Sequence, residues 1–498
     1  MLSNLTRNKS ILWILIGGLI VQVITAITQL GFSSGDQHFQ IVEFSMYQLG
    51  KPNGAVEVWE IDNFVRPTLQ VYLFSGFHLA CNFLHITDPY TQHTILRVIL
   101  GIIMWAVFNL FTMHFLRNSG SIAMVSALLV LNFGWALPFS RTLFSSEMMS
   151  SLFLFGSIYL YDYFKNSKYF LIMVGMGFLF SLAFYLRFQT AFGMLGVLIW
   201  MLFVEKKYRH VVPLGIGFLL GVALNSWLDY MFYGQFVFTP YTYYYANIVD
   251  GRADLFGRSS FLRYIGLIIA IIPAPLFSII VFFYLLKLPF KKLADPVVLA
   301  VFLFVIFHSL VGHKEERFMF PIFNALPLLI GYAVPWIVDT FNSGRKWVGI
   351  SMSLLLGTTL FINTAFLSAM LVVPYSQTVA FSKKVSEHFK GREVSVFSLR
   401  QSPFETPSGH EMEYYKQAAQ NISVRKIRNF RASYIERESP RYLAVSFNDV
   451  KDHFAELERM GYKPVFSSSE LLWKLNLFLQ SKKVNTINEI WRLYEREK

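Results

Sequence analysis

Cysteine is nearly absent: Cys81 is the only one in 498 residues. That excludes a disulfide within the chain, and no Cys/His spacing of the zinc or iron–sulfur kind exists. Charge is scarce as well. Asp, Glu, Lys and Arg make up 15% of the residues against 54% hydrophobic, and the mean hydropathy is +0.45. A soluble domain of this length does not carry so much apolar surface, so a polytopic α-helical membrane protein is expected. Acidic residues are the scarcer sign, 31 against 44 basic ones, for a formal net charge of +13. In this apolar context that excess fits basic cytoplasmic loops and contact with anionic membrane lipids, and no nucleic-acid partner is expected. No internal repeat stands out, which argues against an inverted-repeat transporter. No clear metal box is present either, and neither metal nor other cofactor is expected.

What is abundant is aromatic and apolar: 51 Phe and 25 Tyr, as lipid-facing helices with interfacial anchors require. Arg7 and Lys9 precede the apolar run from Ile11 to Leu30, which reads as a retained first span with a cytoplasmic N-terminus. Apolar windows give about eleven spans, at 11–30, 95–116, 121–138, 145–164, 169–186, 190–204, 211–228, 263–286, 297–312, 318–338 and 347–373. The basic loops KNSK (165–168), EKKYRH (205–210), KLPFKK (287–292) and DTFNSGRK (339–346) then all fall on the cytoplasmic side. Residues 67–86 look like a further span, but a crossing there would turn every later basic loop outward. They are expected as an interfacial or re-entrant helix within an outer segment 31–94. From residue 375 charges become dense and short β-branched runs appear, VSVFSL and YLAVSF. The expected division is therefore a transmembrane domain, 1–374, followed by a small mixed α/β domain, 375–498, on the outer face, ending in a helical tail near INEIWRLYEREK.

On this topology the unusual polar residues collect on the outer side. His313-Lys314-Glu315-Glu316-Arg317-Phe318 lies directly between two apolar runs, where charge is costly to desolvate and usually marks a site. Helical spacing would put His313, Glu316 and Arg317 on one face and let Lys314 and Arg317 converge on one anion; a set of mutual salt bridges is the alternative. Asp36, with Gln37 and His38, follows the first span after Ser-Ser-Gly. It reads either as an N-cap carboxylate or as a general base for an incoming hydroxyl. Trp59-Glu60, near Arg66, could stack on a sugar face and accept its hydroxyls, or be an interfacial Trp beside a solvated Glu. Arg141 and Arg187 sit among apolar neighbours and could clamp a phosphate, whereas Arg258 and Arg263 read as snorkelling to headgroups. Asp229 opens a tyrosine-rich stretch, DYMFYGQFVFTPYTYYY, which suits either an aromatic belt or a groove for lipid or glycan.

Together these segments resemble the family 22 glycosyltransferases of the GT-C class, the polyprenyl- or dolichyl-phosphate-mannose-dependent mannosyltransferases. HKEERF matches the H-K-E-x-R-F signature at all five fixed positions. GDQHFQ is similar to H-P-D-E-x-F-Q and keeps Asp36, Phe39 and Gln40, while Trp59-Glu60, Arg66, Arg141-Thr142-Leu143 and DYMFYG…FTP follow in the family's order. Three positions depart from it: Gln37 replaces an acid, Ser34-Gly35 replaces His-Pro, and Ile61 replaces the second Trp of W-E-W. The resemblance implies a GT-C fold and an inverting transferase that moves a sugar, mannose first, from a polyprenyl phosphate to a glycan or glycolipid acceptor. It implies Asp36 as the base and His313, Lys314, Arg317 and Arg141 at the donor phosphate. Gln37, Trp59, Glu60, Asp229 and Glu316 would contact sugar or acceptor. A bacterial inner membrane is the expected location, with the endoplasmic reticulum as alternative. A transporter or flippase of lipid-linked sugar is the competing reading; it would move substrate without forming a bond.

Overall fold

The computed structural model describes residues 9–54, 59–270, 275–292, 294–342, 346–406, 408–487 and 489–497. Arg7, part of the 339–346 loop and part of the 263–286 stretch lie outside them. Among the described residues, four helical stretches are long and apolar enough to cross a membrane: Lys9–Thr28, Pro89–Phe115, Tyr208–Tyr233, and Lys346–His388, which begins with the Lys346–Val372 helix. Counting two sharply bent helix pairs as one span each brings the number to six. Each of the eleven expected stretches contains helix, but several are too short for a straight crossing, such as Ser121–Phe133 with 13 residues and Phe170–Leu186 with 17. The 67–86 stretch forms a 15-residue helix, Leu69–Phe83. At about 22 Å it is shorter than a hydrocarbon core.

The chain divides into two compact units, Met1–Ile27, Glu60–Gln70 and Leu96–Leu371 in one, Thr28–Trp59, Val71–Ile95 and Val372–Lys498 in the other. The expected 374/375 boundary thus falls close to one junction, while much of the segment 31–94 groups with the C-terminal residues. The first unit is a helical bundle turned inside out relative to a soluble protein. Large apolar side chains such as Ile20 (54%), Leu219 (66%) and Phe361 (77%) are exposed, while Gln22, Arg141 and Asp229 are at 0%. Its Phe170–Leu186 and Val211–Tyr233 helices pack backbone to backbone. A Cβ on Gly177 would overlap the Leu214 carbonyl, and one on Gly217 the Val174 carbonyl, so only glycine permits this approach.

In the second unit, strands β1 (Val394–Leu399), β2 (Ile422–Ile427), β3 (Tyr442–Ser446), β4 (Tyr462–Ser467) and β5 (Trp491–Arg496) form one sheet in the order β2-β1-β3-β5-β4. β1 is parallel to β2 and β3, and β5 is antiparallel to β3 and β4. Period-two alternation sends Phe397, Leu399, Leu443 and Val445 into one core and Val396, Tyr442, Ala444 and Leu493 into the other. The tail expected to be helical is β5, inserted between β3 and β4, where long-range pairing overrides its local helical composition.

Candidate functional site

In the first unit the His313–Phe318 run is not a helix. Glu315 is extended (φ −116°, ψ 153°), and a short 3-10 helix begins only at Glu316. In extended chain, residues two apart share a side, so Glu315 meets both His313 and Arg317. Its Oε1 lies 2.9 Å from His313 Nε2, and Arg317 donates Nε to Oε2 at 2.6 Å and Nη2 to Oε1 at 3.0 Å. The expected face of His313, Glu316 and Arg317 does not form. Lys314, 4% exposed, turns its ammonium onto the carbonyl oxygens of Val311 and Ser259. Burial, and then the charge of Arg263, hold its pKa below the ordinary lysine value. Glu316 is exposed and lines a cavity of about 220 Å³ with Arg263, Tyr264, Gly266, Leu267 and Ala270.

Phe318 joins this cluster to a second cation. The Arg317 guanidinium lies 5.5 Å and the Arg187 guanidinium 4.7 Å from its ring centroid. Arg187, at the C-terminus of the Phe170–Leu186 helix, also pairs with Glu147 at 3.2 Å. Two residues on, Gln189 donates to the Tyr243 hydroxyl at 2.8 Å. Arg66 lies 5.7 Å from the Tyr243 ring and donates to Glu60 at 3.2 Å. A continuous series of contacts therefore runs from Glu60 through Arg66, Tyr243 and the Arg187 turn to the 313–318 cluster. Trp59 and Glu60 start a one-turn helix, Trp59–Asp62; Trp59 is half-buried and Glu60 is 5% exposed.

Asp229 and Arg141 are both fully buried. Asp229 accepts from Thr68 N and Oγ1, both 2.8 Å, and from Thr239 Oγ1 at 2.6 Å, with no exposure. It ties the Thr68 segment to the tyrosine-rich stretch. Arg141 donates Nε to Gln22 at 2.8 Å. Its Nη1 and Nη2 have no hydrogen-bond partner among the described residues, a costly arrangement for a buried cation unless an anion or water meets it.

In the second unit Asp36 is not an N-cap. Ser34 occupies that position, and Asp36 sits half-buried inside the Gly35–Gln37 turn. Gln37, expected to face sugar or acceptor, spends its amide oxygen on Ser33, accepting from N at 3.1 Å and Oγ at 3.3 Å. Directly after Asp36 comes a π-helical segment, His38–Glu43. His38 Nε2 and Glu43 Oε1 are 2.8 Å apart and fully buried. Glu43 also accepts from Gly54 N and Tyr414 N, both at 3.0 Å. The His38 ring stacks between Phe32 and Tyr415, centroids 4.8 and 5.3 Å away.

From sequence, Glu315 and Phe318 are named as part of the 313–318 run without a role of their own, and Glu43 is passed over. With a period of two, 313–317 places Glu315 between His313 and Arg317. Nothing local marks Glu43, whose partner Tyr414 is 371 residues away.

A model of the Alg9-like mannosyltransferase family matches residues 13–397, a stretch that includes Asp36, Trp59, Glu60, Arg141, Asp229 and the 313–318 cluster. GPI mannosyltransferase 3 of Schizosaccharomyces pombe is 27% identical over 154 residues, 29% of this chain and 27% of that protein. The protein of the same name from Debaryomyces hansenii is 28% identical over 134 residues, 26% and 23% of the two chains. The matches thus span about a quarter of the length of these relatives. Among solved structures, ArnT from Cupriavidus metallidurans bound to undecaprenyl phosphate aligns over 97% of both chains with a TM-score of 0.54 at 10% identity. Its apo state gives 0.51 at 11% identity, again over 97% of both. At that identity the likeness speaks for the fold, the GT-C arrangement of an integral membrane protein with a small C-terminal sheet domain. The chain belongs to the Alg9-like mannosyltransferase family.

Proposed function

We propose that this protein is an inverting mannosyltransferase. It takes its sugar from a polyprenyl-phosphate donor and delivers it to a hydroxyl of a lipid-linked or glycan acceptor on the outer face of the membrane, in a bacterial inner membrane or, alternatively, the endoplasmic reticulum. The observation that carries this reading is the 313–318 cluster, a pre-paired cation site within a family match of 385 residues. Arg317 is held in a fork by Glu315, and an incoming phosphate can take over that fork because two of its oxygens accept the paired N–H groups in the same bidentate way, with charge that grows as the sugar leaves. An apolar cavity of about 540 Å³ between the Phe170–Leu186, Ala191–Ile199 and Val211–Tyr233 helices, lined by residues such as Phe184, Met194, Leu198 and Phe218, suits a prenyl chain.

In this reading Asp36 takes the proton of the acceptor hydroxyl as its oxygen bonds to the anomeric carbon from the side opposite the phosphate. The bond between that carbon and the phosphate oxygen breaks, and the electron pair leaves with polyprenyl phosphate. Lys314 and Arg317, assisted by His313 and Arg141, stabilise the departing charge. Trp59 and Glu60 hold the sugar, and Glu316, at the small cavity with Arg263 and Tyr264, contacts sugar or acceptor. The test is transfer by purified protein from polyprenyl-phosphate-mannose to a panel of acceptors, with the product linkage determined. A product of inverted anomeric configuration supports the proposal. Retained configuration, or lipid-linked sugar crossing proteoliposomes with no new bond, overturns it.

A further inference from the structure

The sheet domain of the second unit hides its apolar residues well, with one concentrated exception. Among the described residues after Tyr375, the exposed large apolar side chains are Leu471 (61%), Leu475 (39%), Leu477 (42%), Phe478 (57%), Val484 (54%), Ile487 (37%) and, elsewhere, only Val465 (37%). The exception is therefore one patch, on the Glu470–Ser481 helix and the segment that follows it.

That helix is fixed from beneath. Trp473 and Asn476 are buried, Trp473 against Phe447 with ring centroids 4.9 Å apart. Asn476 closes two hydrogen bonds with the Ile487 backbone, at 2.9 and 2.7 Å. Leu471, Leu475 and Phe478, spaced i, i+4, i+7, form an outward stripe. Lys474, Lys482 and Lys483 are exposed beside it. The helix's single acid, Glu470, is engaged by Arg492 at 2.7 Å and by the Ser467 hydroxyl at 2.7 Å. The outward surface is thus apolar with a basic margin, the pattern of a helix that lies in a lipid interface. The Lys346–Val372 span runs covalently into this unit, so a bilayer is always within reach of it.

We propose that the Leu471–Phe478 stripe is a membrane-docking surface for anionic phospholipid: the apolar side chains enter the headgroup–acyl boundary and Lys474, Lys482 and Lys483 meet lipid phosphates. A second copy of the chain would have no use for three uncompensated lysines around the contact. Each lysine contributes about fivefold to the docked-to-free ratio on an anionic surface, and three together about a hundredfold.

Cys81 is buried at 4% exposure, so a cysteine introduced as Phe478→Cys or Leu475→Cys in the full-length protein takes an environment-sensitive fluorophore selectively. Mock-labelled wild type supplies the background, and Ser423→Cys, exposed on β2, the water-facing control. In nanodiscs containing phosphatidylglycerol the probe at 478 or 475 is expected to shift to the blue and to be quenched by nitroxide-labelled lipid. The combined Lys474→Gln, Lys482→Gln, Lys483→Gln variant is expected to lose both effects, and the Ser423 probe to show neither. Water-like, unquenched emission at both sites in anionic discs overturns the proposal. So does a blue shift that rises with protein concentration in detergent without lipid quenching, which would identify a second copy as the occupant.

Discussion

Replacing Glu43 by alanine is expected to damage the second unit far more than a change at one side chain ordinarily does. The carboxylate is wholly buried and meets three groups: His38 Nε2 at 2.8 Å, Gly54 N at 3.0 Å and Tyr414 N at 3.0 Å. Alanine leaves all three without that partner and out of reach of water. At a little over 1 kcal/mol for each stranded group the loss is about 4 kcal/mol. For a unit of this size about 2–4 °C accompany each kcal/mol, so the apparent melting temperature in detergent falls by about 10 °C. Glu43→Gln keeps the shape and one acceptor oxygen and loses about half as much. Because the His38–Glu43 segment follows directly on the Asp36 turn, both variants are also expected to lower kcat while leaving the donor KM near wild type. Misplacing a catalytic group by about 1 Å can cost a hundredfold in rate. Thermal unfolding read by far-UV circular dichroism, together with sugar-transfer kinetics on the surviving folded fraction, measures both quantities. A Glu43→Ala protein melting within about 2 °C of wild type would refute the reasoning, since three buried partners cannot be lost at so small a cost.

Asp229 separates charge from hydrogen bonding. Asp229→Asn should cost only about 1 kcal/mol, because Thr239 can turn its hydroxyl to accept from the new amide, while Asp229→Ala should cost about 3 kcal/mol; thermal shifts distinguish them. Glu315→Gln frees Arg317 from its forked carboxylate and is expected to tighten inhibition by polyprenyl phosphate about fivefold, the worth of a partly exposed pair. Arg317→Ala should weaken it, and unchanged inhibition in both variants would remove the cluster from the phosphate site.

The unusual residues were legible from sequence wherever rarity made them conspicuous. Charge between apolar runs drew attention to 313–318, and a carboxylate after the first span drew it to Asp36. Local conformation was less legible. Helical spacing misassigned the partners of Arg317 because the backbone is extended at Glu315, which exchanges neighbours at three and four for neighbours at two. The same change of period hid β5: Trp491 and Leu493 are buried on alternate positions, yet the surrounding Arg and Glu suit a helix equally well, and only the flanking strands decide. Asp229 was read from its place in a tyrosine-rich stretch, but its partner Thr68 lies 161 residues away. Long-range pairs of this kind, like Glu43 with Tyr414, leave no mark in local composition.

The central claim rests on Asp36 as the base. Transfer from polyprenyl-phosphate-mannose by the Asp36→Asn protein, measured beside its binding of the donor, tests it most directly. The account predicts a loss of at least about a hundredfold in kcat, the ordinary scale of general-base catalysis, with folding and donor affinity preserved. Near-normal turnover by Asp36→Asn would contradict it.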